Sequence, residues 1–188
     1  GTALRELELS SAEDKLIRSF AFLSRKPLIH MINVDESDIP LVKEPEKICK
    51  NVKPGVKVLA FCGNIEMEIL ELEEEEKKIF LDEYGFEEPS VKRYLKVSYD
   101  LLEVITFFSV GQDEVKAWTI KAGSTAIDAA GVIHTDIAKG FIRAEVIPYQ
   151  ELLSIGSFQS ARDAGAVRLE GRDYRVGGGD VIYFRFHK

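Results

Sequence analysis

The 188-residue sequence has only two cysteines, Cys49 and Cys62, in no C-x-x-C pattern, which suits a chain kept in a reducing cytoplasm. Its three histidines, His30, His134 and His187, add no metal-ligand spacing to them. No apolar run approaches the length of a membrane span, and the opening GTALRELELSS is charged, without an apolar signal region. The expectation is a soluble, cytoplasmic protein. Positive charge is also short. The formal net charge is −7, which argues against wrapping nucleic acid through bulk positive charge. No G-x-x-x-x-G-K-S/T motif occurs, so nothing in the sequence is built to cradle phosphates. Gly177-Gly178-Gly179 is no substitute, because a strand and not a helix N-terminus follows it.

What is present is an ordinary globular composition, 45% apolar and 30% charged, enough for one large domain or two small ones. The charge is uneven. Residues 1–100 carry 15 Lys/Arg against 21 Asp/Glu, and residues 101–188 carry 10 against 11, so any nucleic-acid contact is expected in the second half. Ser10 or Ser11 caps a helix with Glu13 and Asp14 as acidic partners. Leu16, Ile17, Phe20 and Leu23 give that helix one apolar face, and Pro27 stops it. Residues 28–32 and 56–61 read as strands buried on both faces, joined through a helical piece at 47–51 and a Pro54-Gly55 turn. That is a βαβ unit with a parallel sheet and flanking helices. The acidic run 71–76 reads as a solvated helix face, and 91–102 as an amphipathic helix linking the two halves.

The second half is more explicit. Gly111-Gln112-Asp113 separates two β-rich runs, 105–110 and 115–120, as in a hairpin. Thr125 and Asp128 have the spacing of a capping box, and a third β-rich run at 141–147 follows Gly140. This ββαβ order is how a small β-grasp, ubiquitin-like domain begins. Helices are expected at 149–155 and 157–164, and strands at 167–169, 174–176 and 181–186. Phe107, Phe108, Trp118 and Tyr183 alternate on strands and read as core and sheet face ahead of base-stacking platforms, and His30 reads as a core or strand-end residue. His134 has Asp136 near it but no nucleophile tied to either, so that loop reads as structural or partner-binding.

Candidate chemistry gathers at two strand ends. Asn33-Val34-Asp35-Glu36 follows the first strand, and ligands of parallel α/β sheets bind beyond the carboxyl ends of strands. An amide there offers a donor and an acceptor to a purine edge, or simply braces the loop. A dispersed basic set, Lys116, Lys121, Lys139, Arg143, Arg168, Arg172 and Arg175, is either a phosphate-facing surface or an ordinary solvated one interleaved with acids.

Three phrases, DEVKAWTIKAG, AAGVIHTD and KGFIRAEVI, resemble the TGS-type C-terminal domain of the Obg-like ATPases, the YchF family of P-loop NTPases. The resemblance runs from about Ala3 to Phe186 and matches the later part of the family's protein. It implies an α/β plus α+β fold: a partial P-loop-type parallel α/β unit with linking helices over residues 1–100, then a β-grasp TGS domain over 101–188. Where P-loop GTPases read guanine with NKxD, the family has NxxE and prefers ATP. NVDE matches NxxE through Asn33 and Glu36, with Val34 between them, and Asp35 falls one residue early for the GTPase pattern. Adenine lacks the exocyclic 2-amino donor, so ATP is favoured over GTP, through its adenine edge only. Phe61-Cys62-Gly63-Asn64 matches the second base loop, in which Cys62 replaces the usual Ser. Backbone contacts from Cys62, Gly63 and Asn64 survive that change, and a packing role for Cys62 is equally open. With no P-loop, switch segments or Mg²⁺ residues, this chain alone is not expected to hydrolyse ATP, and a P-loop half is an implied partner if it is a fragment. TGS domains are associated with RNA and ribosome contact, which assigns Lys116, Lys121, Lys139, Arg143 and Arg172 to docking. The rival from another class is a non-enzymatic TGS-type interaction module whose α/β half is only scaffold.

Overall fold

The computed structural model describes residues 2–50, 52–53, 55–111 and 114–187, and the chain divides into two compact units, one ending at Leu102 and the other beginning at Glu103. Asn51, Pro54, Gln112 and Asp113, on which parts of three expected turns or helices fall, lie outside the described residues.

In the first unit, α1 (Ser11–Arg18) begins at a capping box. The Ser10 N–H donates to the Glu13 carboxylate at 2.8 Å, and the Ser10 side chain accepts from the Glu13 N–H. The helix ends at Arg18 and not at Pro27, because Ala21 with φ 50° has already broken the backbone. Its expected apolar face is not packed: Leu16 is 74% exposed, and Phe20 stacks on Phe22 instead.

β1 (Leu28–Asn33) and β2 (Val56–Phe61) pair in parallel, Leu28 opposite Val56 and Asn33 opposite Phe61. The expected helical piece at 47–51 is not the crossover. Two 3-10 stretches, Glu36–Lys43 and Pro45–Lys47, take its place, since Pro40 and Pro45 have no N–H to offer an α-helical ladder. Nor are the strands buried on both faces. His30 and Met31 are exposed within β1, which also corrects the reading of His30 as a core or strand-end residue, and Ala60 is the buried residue of the pair. A continuous apolar run is buried on both sides only where a packed layer covers each face. Here α2 (Gly63–Glu71), α3 (Glu74–Glu83) and α4 (Ser90–Leu102) help enclose a single cluster, with Val42, Ala60, Cys62, Ile65, Ile69, Leu81 and Phe86 at its centre. The acidic run is split by Leu72, and three of its five glutamates, Glu74, Glu75 and Glu76, sit in the first turn of α3, where the helix dipole favours negative charge. The Ser90 N–H donates to Glu66 at 2.9 Å, fastening the start of α4 to α2.

The second unit runs β3 (Val104–Val110), β4 (Val115–Lys121), α5 (Ala126–Ile133), α6 (Thr135–Lys139), β5 (Phe141–Pro148), α7 (Tyr149–Ile155), α8 (Phe158–Asp163), β6 (Arg168–Glu170) and β7 (Asp180–Phe186). Its five-stranded sheet has the order β4-β3-β7-β5-β6; β3 and β7 are parallel and the other pairs antiparallel. The expected hairpin pairs Val110 with Val115 and Phe107 with Trp118. The expected strand at 174–176 is a single bridge, Thr125 to Arg175. Tyr174 is held by its side chain instead, donating to Asp180 at 2.8 Å and accepting from Arg168 at 3.0 Å.

Apolar residues alternate across this sheet, so both faces are packed. Phe107, Ala144, Val146, Ile182 and Phe184 join Ala126, Ala129 and Ala130 of α5 on one face. Ile147 and Val181 join Ala161 of α8 on the other. The Thr125–Asp128 capping box opens α5, and its hydrogen bonds hold the Asp128 carboxyl below the usual carboxylate range. Gly140 is required where it stands, because a Cβ there would overlap the His187 carbonyl. No helix among the described residues is long and apolar enough to cross a membrane.

Candidate functional site

Parallel pairing brings the carboxyl ends of β1 and β2 side by side, so the 3-10 stretch that follows the first meets the start of α2 that follows the second. The Val34 N–H donates to the Phe61 carbonyl at 2.9 Å and carries the ladder one residue further. Asn33 Oδ1 then accepts the Gly63 N–H at 2.9 Å. Gly63 leaves room for that bond, since a Cβ would lie 3.2 Å from the same oxygen. Asn64 Nδ2 donates to Glu36 Oε1 at 3.1 Å. Four of the six residues singled out from the sequence, Asn33, Glu36, Gly63 and Asn64, are therefore tied in pairs between the end of β1 with the 3-10 stretch beyond it and the first turn of α2, where a loop was expected. The other two serve the core: Val34 packs against the first unit's cluster, and Cys62 is 3% exposed within it.

The surroundings are acidic. Burial pushes the Tyr84 hydroxyl above its ordinary value, and the Glu68, Glu83 and Glu36 carboxylates push it the same way. Such a setting suits the amino donors of a neutral base better than it suits phosphates. Among the described residues no group of three His, Cys, Asp or Glu side chains is placed to hold a metal ion.

The five docking candidates do not form one surface. Lys116 shares a sheet face with Trp118 and Ile120, and lies 2.8 Å from Glu114 in an ion pair. Lys139 belongs to α6, and the Arg172 carbonyl accepts from Ile127 of α5, on that same side. Lys121 and Arg143 point by strand alternation to the opposite face, and β3 and β7 lie between their strands. His134 caps α6: its Nδ1 accepts the Asp136 N–H at 3.2 Å.

A charged cluster that sequence reading did not single out lies on the Arg143 face. Glu145, 1% exposed, accepts from Arg162 Nε at 2.6 Å and from Arg185. The Arg162 guanidinium lies 5.0 Å over the Phe158 ring and 4.9 Å over that of Tyr183. The signal was available as charges at alternate positions, Arg143 and Glu145 within FIRAEVI and Arg185 within VIYFRF.

Residues 104–187 match the family model YchF-GTPase_C, whose description is "Protein of unknown function (DUF933)". The chain is 43% identical over 187 residues to the ribosome-binding ATPase YchF of Haemophilus influenzae, covering 98% of this chain and 51% of that one. It is 41% identical over 187 residues to the ribosome-binding ATPase YchF of Bacillus subtilis, covering 97% and 51%. Among solved structures, the YchF GTPase of Schizosaccharomyces pombe aligns with a TM-score of 0.77 at 28% identity, over 98% of this chain and 50% of that chain. The chain thus spans about half the length of these relatives.

Proposed function

We propose, for a chain that belongs to the YchF family of Obg-like ATPases and matches the C-terminal half of YchF, that it supplies a purine-reading edge and a docking domain for ribosome or RNA. The observation that carries the first part is the junction of Asn33 with Gly63, beside that of Glu36 with Asn64. It holds an amide and a carboxylate at the end of a parallel sheet, where the donors of an adenine edge can meet acceptors. Cys62 contributes through its backbone and not its buried thiol. Phosphate grip and Mg²⁺ come from a P-loop half, without which the chain does not hydrolyse ATP.

The second unit is the docking domain, a TGS-type β-grasp. In its own numbering the strand order is 2-1-5-3-4, with first and last strands parallel and a helix packed across one face, which supports that reading. The relatives' name, ribosome-binding ATPase, supports the partner. A cytoplasmic setting follows from the same partner.

The test joins the chain to the P-loop half of the Bacillus subtilis relative and titrates labelled nucleotides. ATP is expected to bind more tightly than GTP, and Asn33→Ala to weaken ATP by about three- to tenfold, the worth of a neutral hydrogen bond. A clear GTP preference, or an Asn33→Ala protein as tight as the parent, sinks the adenine assignment. Docking is read by co-sedimentation with ribosomes, which is expected to fall as salt rises.

A further inference from the structure

Bulk charge does not make this protein a polyanion binder, so any phosphate contact has to come from a local arrangement. One such arrangement stands out on the sheet face that carries α7 and α8. Arg143 of β5 lies directly opposite Arg185 of β7, two like charges in one cross-strand pair. Side chains so placed have Cβ atoms about 5 Å apart, and like charges there are destabilising. Arg162 of α8 brings a third guanidinium to the same carboxylate that Arg185 meets. One acid, Glu145, stands among the three, and Arg143 has no ion-pair partner among the described residues.

The carboxylate does more than neutralise. Glu145 is buried, and it fixes both arginines through their Nε edges, while the Phe158 and Tyr183 rings fix the plane of Arg162. A guanidinium held this way keeps its outer N–H groups in a set fork, the geometry that meets a tetrahedral phosphate with two parallel hydrogen bonds. Beside it lies a depression of 410 Å³ lined by Ile142, Arg162, Tyr183, Arg185 and Phe186. Its floor therefore combines charge with aromatic surface, and unstacked bases of single-stranded RNA use that pairing. An acidic peptide would satisfy the arginines but make no use of the aromatic lining of the depression.

We propose that Arg143, Arg162 and Arg185 form a phosphodiester-binding site for single-stranded RNA, with Glu145 as the positioning residue and Tyr183 as a stacking surface. This rests on the RNA-docking reading of the second unit and narrows it from dispersed basic residues to one cluster.

Fluorescence anisotropy of a labelled 20-nucleotide oligouridine RNA, titrated with the full chain at several salt concentrations, tests it. Arg143→Gln and Arg185→Gln are each expected to lower the slope of log affinity against log salt by about one. Together they weaken binding by about tenfold at low salt. Arg143→Gln removes no intramolecular bond and relieves the like-charge pair, so its melting temperature is expected not to fall below that of the parent, which separates a binding loss from a folding loss. The charge-matched control Lys78→Gln, exposed on α3, leaves affinity and slope unchanged. RNA binding by the double variant with the parent's slope overturns this site while the docking reading stands. No RNA binding by the parent overturns both. Displacement of the RNA by equimolar inorganic phosphate or polyglutamate overturns the assignment to an RNA backbone.

Discussion

The two units answer the same problem, burying an apolar sheet, with opposite success. In the second, β3, β7 and β5 lie inside the sheet, apolar side chains pack on both faces, and Phe107, Ala144, Val146 and Ile182 are 0% exposed. In the first, Ala60 is the single buried residue of the two parallel strands, while Leu16, Leu70 and Ile79 are each more than 70% exposed. Two strands without a third are marginal in water, so that unit rests on its helices and 3-10 connectors more than on its sheet. The lesson is about where chemistry can sit. Asn33, Glu36, Gly63 and Asn64 are held by side-chain bonds in the less buried unit, whereas the Glu145 cluster is set on a rigid sheet.

The largest expected effect is Phe107→Ala, at the centre of the second unit's core. Emptying that site costs about 3–5 kcal/mol, and Trp118, the single tryptophan and the cross-strand partner of Phe107, reports it in urea unfolding by fluorescence. A cost under about 1 kcal/mol would mean that the well-packed unit is not what it looks to be. Ile65→Ala in the first unit is expected to cost less, about 2–3 kcal/mol, read by circular dichroism, because truncating an isoleucine leaves a smaller cavity than truncating a phenylalanine. Equal or larger loss than Phe107→Ala would reverse the comparison.

A smaller effect lies in the capping box. Thr125→Ala removes the bonds that open α5 and is expected to cost about 1 kcal/mol by the same fluorescence assay. The pH dependence has a definite sign. The Asp128 carboxyl is held below its ordinary value, first by the Thr125 hydroxyl and then by the Thr125 N–H. Its contribution is therefore complete above the unfolded carboxylate value, about 4, and is lost as pH falls through the lower folded value. Melting at pH 6 and pH 3 measures it: Asp128→Asn is expected to narrow the difference, and an unchanged gap would remove Asp128 from the acid sensitivity.

Particular residues mark how far the sequence could be read. Ser10 with Glu13 and Thr125 with Asp128 were legible because a capping box is a contract between residues three apart. The strands of the second unit were legible because alternation repeats every second residue. Leu16 and Phe20 misled, because helical spacing marks an apolar face without saying that anything packs on it. The crossover misled as well, since Pro40 and Pro45 allow 3-10 turns where a βαβ pattern suggests a helix.

The sequence by itself determined the family, the absence of a phosphate-cradling motif, the helix starts at Ser10 and Thr125 and the strands of the five-stranded sheet. All of these depend on composition or on residues a few positions apart. Only the tertiary structure decided that Asn33 at the end of β1 meets Gly63 at the start of α2, that the expected basic residues divide between two faces, and that Glu145 lies buried between Arg162 and Arg185. Those facts depend on strand register and on which helix covers which face, and register joins residues 17 to 40 positions apart whose encounter no local pattern encodes.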